Sequence, residues 1–90
     1  MIMVQNNLWI HRKKMGFSQK KTAYLMGMNK TNALSHYEHG NKLPGLINAL
    51  KLEIVYRTPV AFLFKDLYER LKREIRTREE KLKKDMVNDE

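Results

Sequence analysis

The stretch SQKKTAYLMGMNKTNALSHYEHG, residues 18–40, decides the fold of this 90-residue chain. It predicts two short helices joined by a tight turn. The first helix begins at Ser18, whose hydroxyl can accept a hydrogen bond from a backbone N–H of the first turn, and it ends at Gly27. Its inward face is predicted to consist of Thr22, Ala23, Leu25 and Met26.

The second helix stops at Gly40, a residue suited to a left-handed helix end, and begins at one of three capping residues, Asn29, Thr31 or Asn32. The inward stripe comprises Ala33, Leu34 and Tyr37, which recur at helical spacing. The other face carries Lys30, Thr31, Asn32, Ser35 and His36. Two helices closed by a short turn containing glycine form the helix-turn-helix arrangement, whose second helix lies in the major groove of DNA.

The net charge of +8 is informative because of where it lies. Residues 1–65 contain ten Lys or Arg and only two acids, Glu38 and Glu53, whereas residues 66–90 contain eight basic and eight acidic residues. The whole excess therefore lies in the part of the chain with the two predicted helices, as expected for a surface that binds phosphates. A generally basic protein would not show this segregation.

The length and composition indicate one small domain with a modest core. The absence of cysteine excludes disulfides and thiolate zinc sites and fits a reducing cytoplasm. The N-terminus lacks a basic flank followed by an apolar run, and no apolar stretch approaches the roughly 18 residues needed to span a membrane. We expect a cytoplasmic, nucleoid-associated protein with no membrane partner.

Three further short helices are predicted around the central pair. A first helix is capped by Asn6 or Asn7 and ends at Gly16, with Trp9 as a core anchor rather than a base-stacking platform. A fourth helix covers about residues 46–56, after a loop that contains Pro and Gly. Its apolar stripe is predicted to include Leu46, Ala49, Leu50 and Val55.

A short fifth helix is predicted to have Thr58 as its cap and Pro59 at its first position, where the missing N–H is not needed. Core positions are preferred over a dimer surface for most of its apolar residues, Val60, Phe62, Leu63 and Phe64.

The segment 66–90 contains no Gly or Pro and predicts a helix of about 20 residues, or about 30 Å. Acid-first pairs at i,i+4, the favourable orientation, are Glu69–Arg73, Glu74–Arg78, Glu79–Lys83 and Glu80–Lys84. A narrow apolar stripe, interrupted by Arg78, runs through Leu67, Leu71, Ile75, Leu82 and Met86. Because it has fewer than three clean heptads, two interpretations stay open: a dimerising helix, or a solvated tail whose first turns pack on the domain.

No pattern of catalytic residues is present. His36 and His39 could share a helix face, but no third metal ligand accompanies them, so a structural or DNA-facing role is favoured. The chain has no nucleophile-elbow serine and no glycine-rich phosphate loop. We therefore predict no enzyme activity, no metal and no cofactor.

A resemblance to a known family rests on matches spread in order along residues 8–64. The matching positions are Leu8, Arg12, the FSQ stretch at 17–19 that leads into the second helix, Ala23, Gly27, LSHYEHG at 34–40, Pro44, ALKLE at 49–53, TPV at 58–60 and LF at 63–64. In this pattern the chain resembles the Cro and lambdoid-repressor type of helix-turn-helix domain, also called the XRE family.

The resemblance implies an all-α protein: a five-helix repressor-like helix-turn-helix domain over residues 1–65, followed by an additional long charged C-terminal helix over residues 66–90. It implies a transcriptional regulator of a bacterium, phage or mobile element that binds a two-fold operator as a homodimer. It also implies that Arg12 pairs with Glu38, tying the first helix to the end of the recognition helix.

Two features depart from the family pattern. Thr22 stands where the family usually has leucine, and the interval from Gly27 to Glu38 is one residue longer than in the phage repressors. The longer interval leaves the register of base contacts open by one position.

By resemblance, the recognition helix covers about residues 31–39, and Thr31, Asn32 and His36 reach base edges, with Lys30 and Ser35 as neighbours that could do so in a shifted register. Asparagine can pair with adenine, while histidine or lysine can donate to guanine acceptors. The candidates for phosphate contact are Gln19, Lys20, Lys21, Asn41 and Lys42.

The main alternative is an antitoxin or adapter whose C-terminal helix binds a partner protein, with DNA binding secondary. The solution mass separates the two, because a stable dimer would account for the apolar stripe and a monomer would favour a missing partner. Binding to duplex RNA is disfavoured because side chains cannot read the narrow major groove of A-form RNA.

Overall fold

The computed structural model describes the backbone of residues 5–89 and the side chains of residues 5–85. This part of the chain contains six α-helices and no strand, which confirms the all-α prediction. The helices are α1 (Leu8–Met15), α2 (Gln19–Leu25), α3 (Asn32–Glu38), α4 (Leu46–Tyr56), α5 (Val60–Leu63) and α6 (Lys65–Asp89). None of these helices is long and apolar enough to cross a membrane.

Local capping explains where the first two helices begin and end. The side chain of Asn6 accepts a hydrogen bond from the N–H of Leu8 at 3.0 Å, and Gly16 ends α1 in the left-handed conformation with φ 73°. The Ser18 hydroxyl accepts a hydrogen bond from the N–H of Lys21 at 3.0 Å, as predicted. The helix α2 itself stops at Leu25, and the left-handed Gly27 follows with φ 77°.

The helix α3 begins after Thr31, whose side chain makes no capping hydrogen bond, and the chain turns away at Gly40 with φ 76°. There the N–H of Asn41 donates to the carbonyl of His36 at 3.0 Å, which satisfies one of the last carbonyls of the helix. The predicted positions of both ends are therefore confirmed.

The hydrophobic core lies between the first five helices and the start of α6. Its buried apolar residues are Leu8, Ala23, Met26, Leu34, Tyr37, Leu52, Tyr56, Leu63 and Phe64. Ala33, Val55, Val60 and Leu67 are partly buried against this core. Thr22, Ala23 and Met26 of the predicted inward face are buried, as are Leu34 and Tyr37.

Several apolar residues predicted to be buried are exposed instead. Trp9 is 53% exposed and lies beneath the ammonium group of Lys13, 5.5 Å from the ring centroid, so it is not a core anchor. The predictions were also wrong for Leu25, Leu46 and Leu50. The prediction that most apolar residues of the fifth helix lie in the core is confirmed, with Phe62 as the exposed exception. Short helices around a small core bury one narrow face each, and in α4 that face is marked by Leu52 and Tyr56 rather than by Leu46 and Leu50.

The start of α5 also differs from the prediction. Pro59, not Thr58, occupies the capping position, and the Thr58 hydroxyl donates to the carbonyl of Tyr56 at 3.0 Å. The N–H of Val60 instead donates to the carboxylate of Glu53 at 3.0 Å. The cap of α5 is therefore supplied by a side chain from α4, seven residues earlier.

The helix α6 has 25 residues and follows α5 almost directly. Leu67 packs against the core, whereas Leu71, Ile75 and Leu82 are exposed. The ion pairs along the helix join Arg76 to Glu79 and Glu80 to Lys83, at i,i+3 rather than at the predicted i,i+4 spacing. Met86 lies outside the residues with described side chains. The division into two domains at residue 65 stays a prediction.

Candidate functional site

The outward face of α3 and the segments on either side of it form the candidate site. The inward residues Leu34 and Tyr37 lie in the core together with Ala23 of α2 and Met26, the residue after α2, so the two helices pack against each other. In the turn between them, the N–H of Met28 donates to the carbonyl of Ala23 at 2.8 Å. This packing turns the polar side of α3 toward solvent.

A buried ion pair fixes the C-terminal end of α3. The Nε and Nη2 atoms of Arg12 donate to the two carboxylate oxygens of Glu38, at 2.6 and 3.1 Å, in a bidentate arrangement. A third guanidinium nitrogen, Nη1, donates to the carbonyl of Phe17 at 3.0 Å. Both side chains are nearly inaccessible, at 7% and 6% exposure. The predicted pair is confirmed, and it joins α1, the α1–α2 turn and α3.

The environment of this pair shifts two pKa values. The hydrogen bond to Glu38 raises the pKa of the Arg12 guanidinium, although burial acts in the opposite direction. Burial raises the pKa of the neighbouring Tyr56 phenol above its ordinary value. Arg12 therefore stays charged, and Tyr56 stays neutral, at physiological pH.

Gln19 lies in the same network. Its Nε2 atom donates to Glu38 Oε1 at 3.1 Å, so the amide of this predicted phosphate contact is held by the ion pair. The ammonium group of Lys21 lies 4.9 Å from the centroid of the Phe17 ring, whereas Lys20 is exposed at the solvent side of α2. Gln19 and Lys21 thus have partners within the protein.

Among the predicted base contacts, Asn32 and His36 are exposed and lie one turn apart on α3, so they share a face. Lys30 is exposed in the turn before α3, and Thr31 is half-buried at its start. The half-buried Ser35 has a local partner, because His39 Nδ1 lies 2.7 Å from its carbonyl oxygen and 3.4 Å from its hydroxyl.

Asn41 and Lys42, the remaining predicted phosphate contacts, are exposed in the loop that follows α3. The backbone hydrogen bond from Asn41 to His36 keeps the start of this loop next to the end of the helix. The structure thus places Asn32 and His36 exposed on α3, and Asn41 and Lys42 exposed in the loop that follows its C-terminal end.

Three further polar side chains, none of them predicted as a site residue, hold this region in place. The Asn6 side-chain amide donates to the carbonyl of Tyr37 at 2.8 Å, and the Asn48 amide donates to the hydroxyl of Tyr37 at 3.0 Å. Lys51 donates to the carbonyl of Met26, at the C-terminal end of α2, at 2.9 Å. Their sequence signal is weak: Asn48 and Lys51, together with Glu53, are the amide-bearing and charged residues of a largely apolar helix.

No group of His, Asp and Glu residues in the described part of the chain could hold a metal ion. Glu38, which stands between His36 and His39 in sequence, points inward to Arg12. The site therefore offers hydrogen-bond donors and acceptors to a ligand rather than a preformed metal centre.

No protein-family model and no curated protein matches the chain.

Proposed function

We propose that this protein is a sequence-specific DNA-binding transcriptional regulator, with α3 in the major groove. The main observation that supports the proposal is that α3 has a buried inner face and an exposed polar outer face. Its inner face is locked by Leu34, Tyr37 and the Glu38 ion pair, while Asn32 and His36 are exposed one turn apart on the outer face. A rigidly held helix with polar groups directed outward is what direct readout of base edges requires.

The resemblance of residues 8–64 to the XRE family supports the same function. In this proposal the residues 18–40 form a helix-turn-helix of the repressor type, α2 lies across the DNA backbone, and α3 is the recognition helix. Asn32 and His36 carry the base contacts, with Thr31, Lys30 and Ser35 as their neighbours.

The charge distribution supports phosphate binding around α3. Lys20 is exposed on α2 and Lys42 is exposed in the loop after α3, and the excess of +8 resides in residues 1–65. These lysines would attract DNA of any sequence and set the orientation in which α3 enters the groove. Two such domains in a homodimer would read a two-fold operator.

Selection from a library of randomised DNA duplexes tests this proposal, because the selection itself yields the operator sequence. Wild type is expected to enrich a two-fold symmetric motif, and a variant with Asn32→Ala and His36→Ala is expected to enrich none. The control is Thr77→Ala on α6, an exposed polar residue far along the chain from α3. Enrichment of the same motif by wild type and the double variant would contradict base readout by α3.

A further inference from the structure

The helix α6 carries an apolar surface that nothing else in the described part of the chain covers. Leu67 reaches the core, but Tyr68, Leu71, Ile75 and Leu82 are each between 44% and 55% exposed. A helix that leaves its domain and has few tertiary contacts gains little stability from propensity alone. Burial of this surface would stabilise α6.

The spacing of these residues is that of a coiled-coil seam. Tyr68, Leu71, Ile75, Arg78 and Leu82 follow one another at alternating intervals of three and four residues, which places them at positions a, d, a, d and a of a heptad. We propose that two copies of this chain pair in antiparallel orientation through this α6 seam, with the two-fold axis between residues 76 and 77. The proposed function already includes a homodimer; this inference adds the interface, its orientation and its register, and it does not depend on DNA binding.

A parallel pairing is disfavoured by the charges on α6. In a parallel coiled coil each a or d residue faces its own copy, so Arg78 would face Arg78 and Asp85 would face Asp85. At the e and g positions, which flank the seam, Glu74 would lie beside Glu79 of the second copy. Three layers of like charges would therefore oppose the parallel arrangement.

The antiparallel pairing removes these conflicts. About an axis between residues 76 and 77, Leu71 faces Leu82 of the second copy, and Ile75 faces the aliphatic stem of Arg78. At the flanking positions, Glu74 meets Lys81 and Lys72 meets Glu79 of the second copy. Two-fold symmetry repeats each ion pair, so the seam is bordered by four attractive contacts.

The same charges select one register. If the pairing shifted by one heptad so that the two-fold axis moved toward the N-terminus of α6, Lys72 would face Lys72 and Glu74 would face Glu74 at the axis. The opposite shift would bring Glu79 against Glu79 and Lys81 against Lys81. Only the axis between residues 76 and 77 pairs opposite charges on both sides of the seam.

This register also covers an apolar recess at the base of α6. The recess has a volume of about 300 Å³ and is lined by Val60, Ala61, Phe64, Leu67, Tyr68 and Leu71. In the antiparallel arrangement, residue 68 of one copy lies opposite residue 85 of the other, so the C-terminal end of the second α6 passes over the recess. The recess and the seam then form one continuous interface.

Sedimentation equilibrium of the intact chain tests the pairing. Because the seam is short, we expect a weak dimer with a dissociation constant below about 200 µM, so that the average mass rises from the 10.8 kDa chain mass toward twice that value as the concentration increases to about 200 µM. Ile75→Gln combined with Leu82→Gln is expected to raise the dimer dissociation constant at least about tenfold, since four apolar side chains leave the interface. Arg73→Gln, on the opposite face, is the control. A monomer mass throughout this range would overturn the proposal and point to a different protein as the partner of α6.

A charge reversal tests the orientation. Glu74→Lys places the introduced ammonium group against Lys81 in the antiparallel register and is expected to weaken the dimer by about threefold or more, and Lys81→Glu in the same chain is expected to restore it. In a parallel dimer, the introduced lysine would instead face Glu79, and Glu74→Lys would strengthen the association. A tighter dimer in the single variant would therefore overturn the antiparallel orientation.

Cysteine cross-linking can test the register, because the chain has no native cysteine that would form other disulfides. When Leu71→Cys and Leu82→Cys chains are mixed and oxidised, a heterodimeric cross-link is expected. Arg73→Cys, mixed with either variant, is the control that should not cross-link efficiently. Absence of the 71–82 cross-link, or an equally efficient cross-link between two Leu82→Cys chains, would overturn the register.

Discussion

Glu38 is the residue on which the position of α3 depends most directly. It is the last residue of α3, where the helix dipole disfavours a negative charge, yet its side chain is only 6% exposed. Two nitrogens of Arg12 and the amide of Gln19 donate to its carboxylate and compensate for the lost hydration. Together with the buried Leu34 and Tyr37, this carboxylate therefore fixes the orientation of the candidate recognition face.

Replacement of Glu38 by Gln is expected to destabilise the fold strongly, because it leaves the buried Arg12 charge without its counter-ion. Breaking a buried pair of this kind costs roughly 3 kcal/mol or more. For a domain of this size, that loss lowers the melting temperature by more than about 10 °C. Thermal unfolding followed by circular dichroism measures the effect.

The matched control is Glu80→Gln, because Glu80 pairs with Lys83 at 3.7 Å on the exposed surface of α6. An exposed pair contributes under about 1 kcal/mol, so this variant should unfold close to wild type. Equal melting temperatures for wild type and Glu38→Gln would contradict a structural role of the buried pair.

Replacement of Asn32 or His36 should weaken binding to the cognate DNA sequence without weakening binding to random-sequence DNA. Alanine at either position is expected to cost on the order of 1 to 3 kcal/mol for the cognate site, since it removes donors or acceptors that read base edges. Binding to random-sequence DNA should hardly change, because phosphate contacts are retained. Fluorescence anisotropy with both duplexes measures the two effects, and equal losses on both would refute base readout.

The N-terminal end of the short helix α5 is capped by a side chain from the preceding helix, α4. Glu53 accepts the N–H of Val60, and its negative charge lies at the N-terminal end of α5. The short α5 in turn places Leu63 in the core, where it is fully buried. The capping contact therefore links α4 to the base of α6.

Glu53→Ala is expected to destabilise the protein by about 1 kcal/mol through loss of this cap. Urea denaturation provides the measurement, with Glu80→Ala on the exposed face of α6 as the control that should stay within about 0.5 kcal/mol of wild type. Hydrogen exchange at the amide of Val60 should accelerate in Glu53→Ala. Unchanged protection there would mean that the carboxylate is not the cap.

The ends of the helices were largely predictable, and the reason is local. Ser18, Gly16 and Gly40 act through hydrogen bonds or backbone conformations within a few residues of themselves. The Arg12–Glu38 pair was also predictable, because acids are scarce in residues 1–65 and the family resemblance names the partner. The signals at the helix ends do not depend on how the elements pack.

The buried faces of the short helices were predictable only in part. Trp9, Leu46 and Phe62 are apolar yet exposed, because helices of four to eleven residues carry too few positions to define one inward stripe. The contacts of Asn6 and Asn48 with Tyr37 were not predictable at all, since they join residues that only the tertiary fold brings together.

In the whole molecule, the net positive charge is confined to one part of the chain. Residues 1–65 hold the positive excess, while residues 66–90 are balanced and suited to pairing with a second copy. The exposed lysines near α3 should therefore govern how DNA affinity responds to salt.

Lys42→Ala is expected to weaken binding about equally for cognate and random DNA and to reduce the slope of log affinity against log salt by about 1. The control is Lys83→Ala, which removes an exposed lysine, at 73% exposure, from α6. Titrations at several salt concentrations provide the slopes. A loss confined to the cognate duplex would show that Lys42 contacts bases instead of phosphates.

The most direct test of the central claim is the affinity ratio between the selected duplex and its scrambled counterpart, measured by fluorescence anisotropy at about 150 mM salt. A sequence-specific regulator should prefer the selected duplex by roughly 10³ or more. The ratio should fall when Asn32 and His36 are both replaced by alanine. Equal, salt-sensitive binding of wild type to both duplexes would contradict sequence-specific recognition by α3.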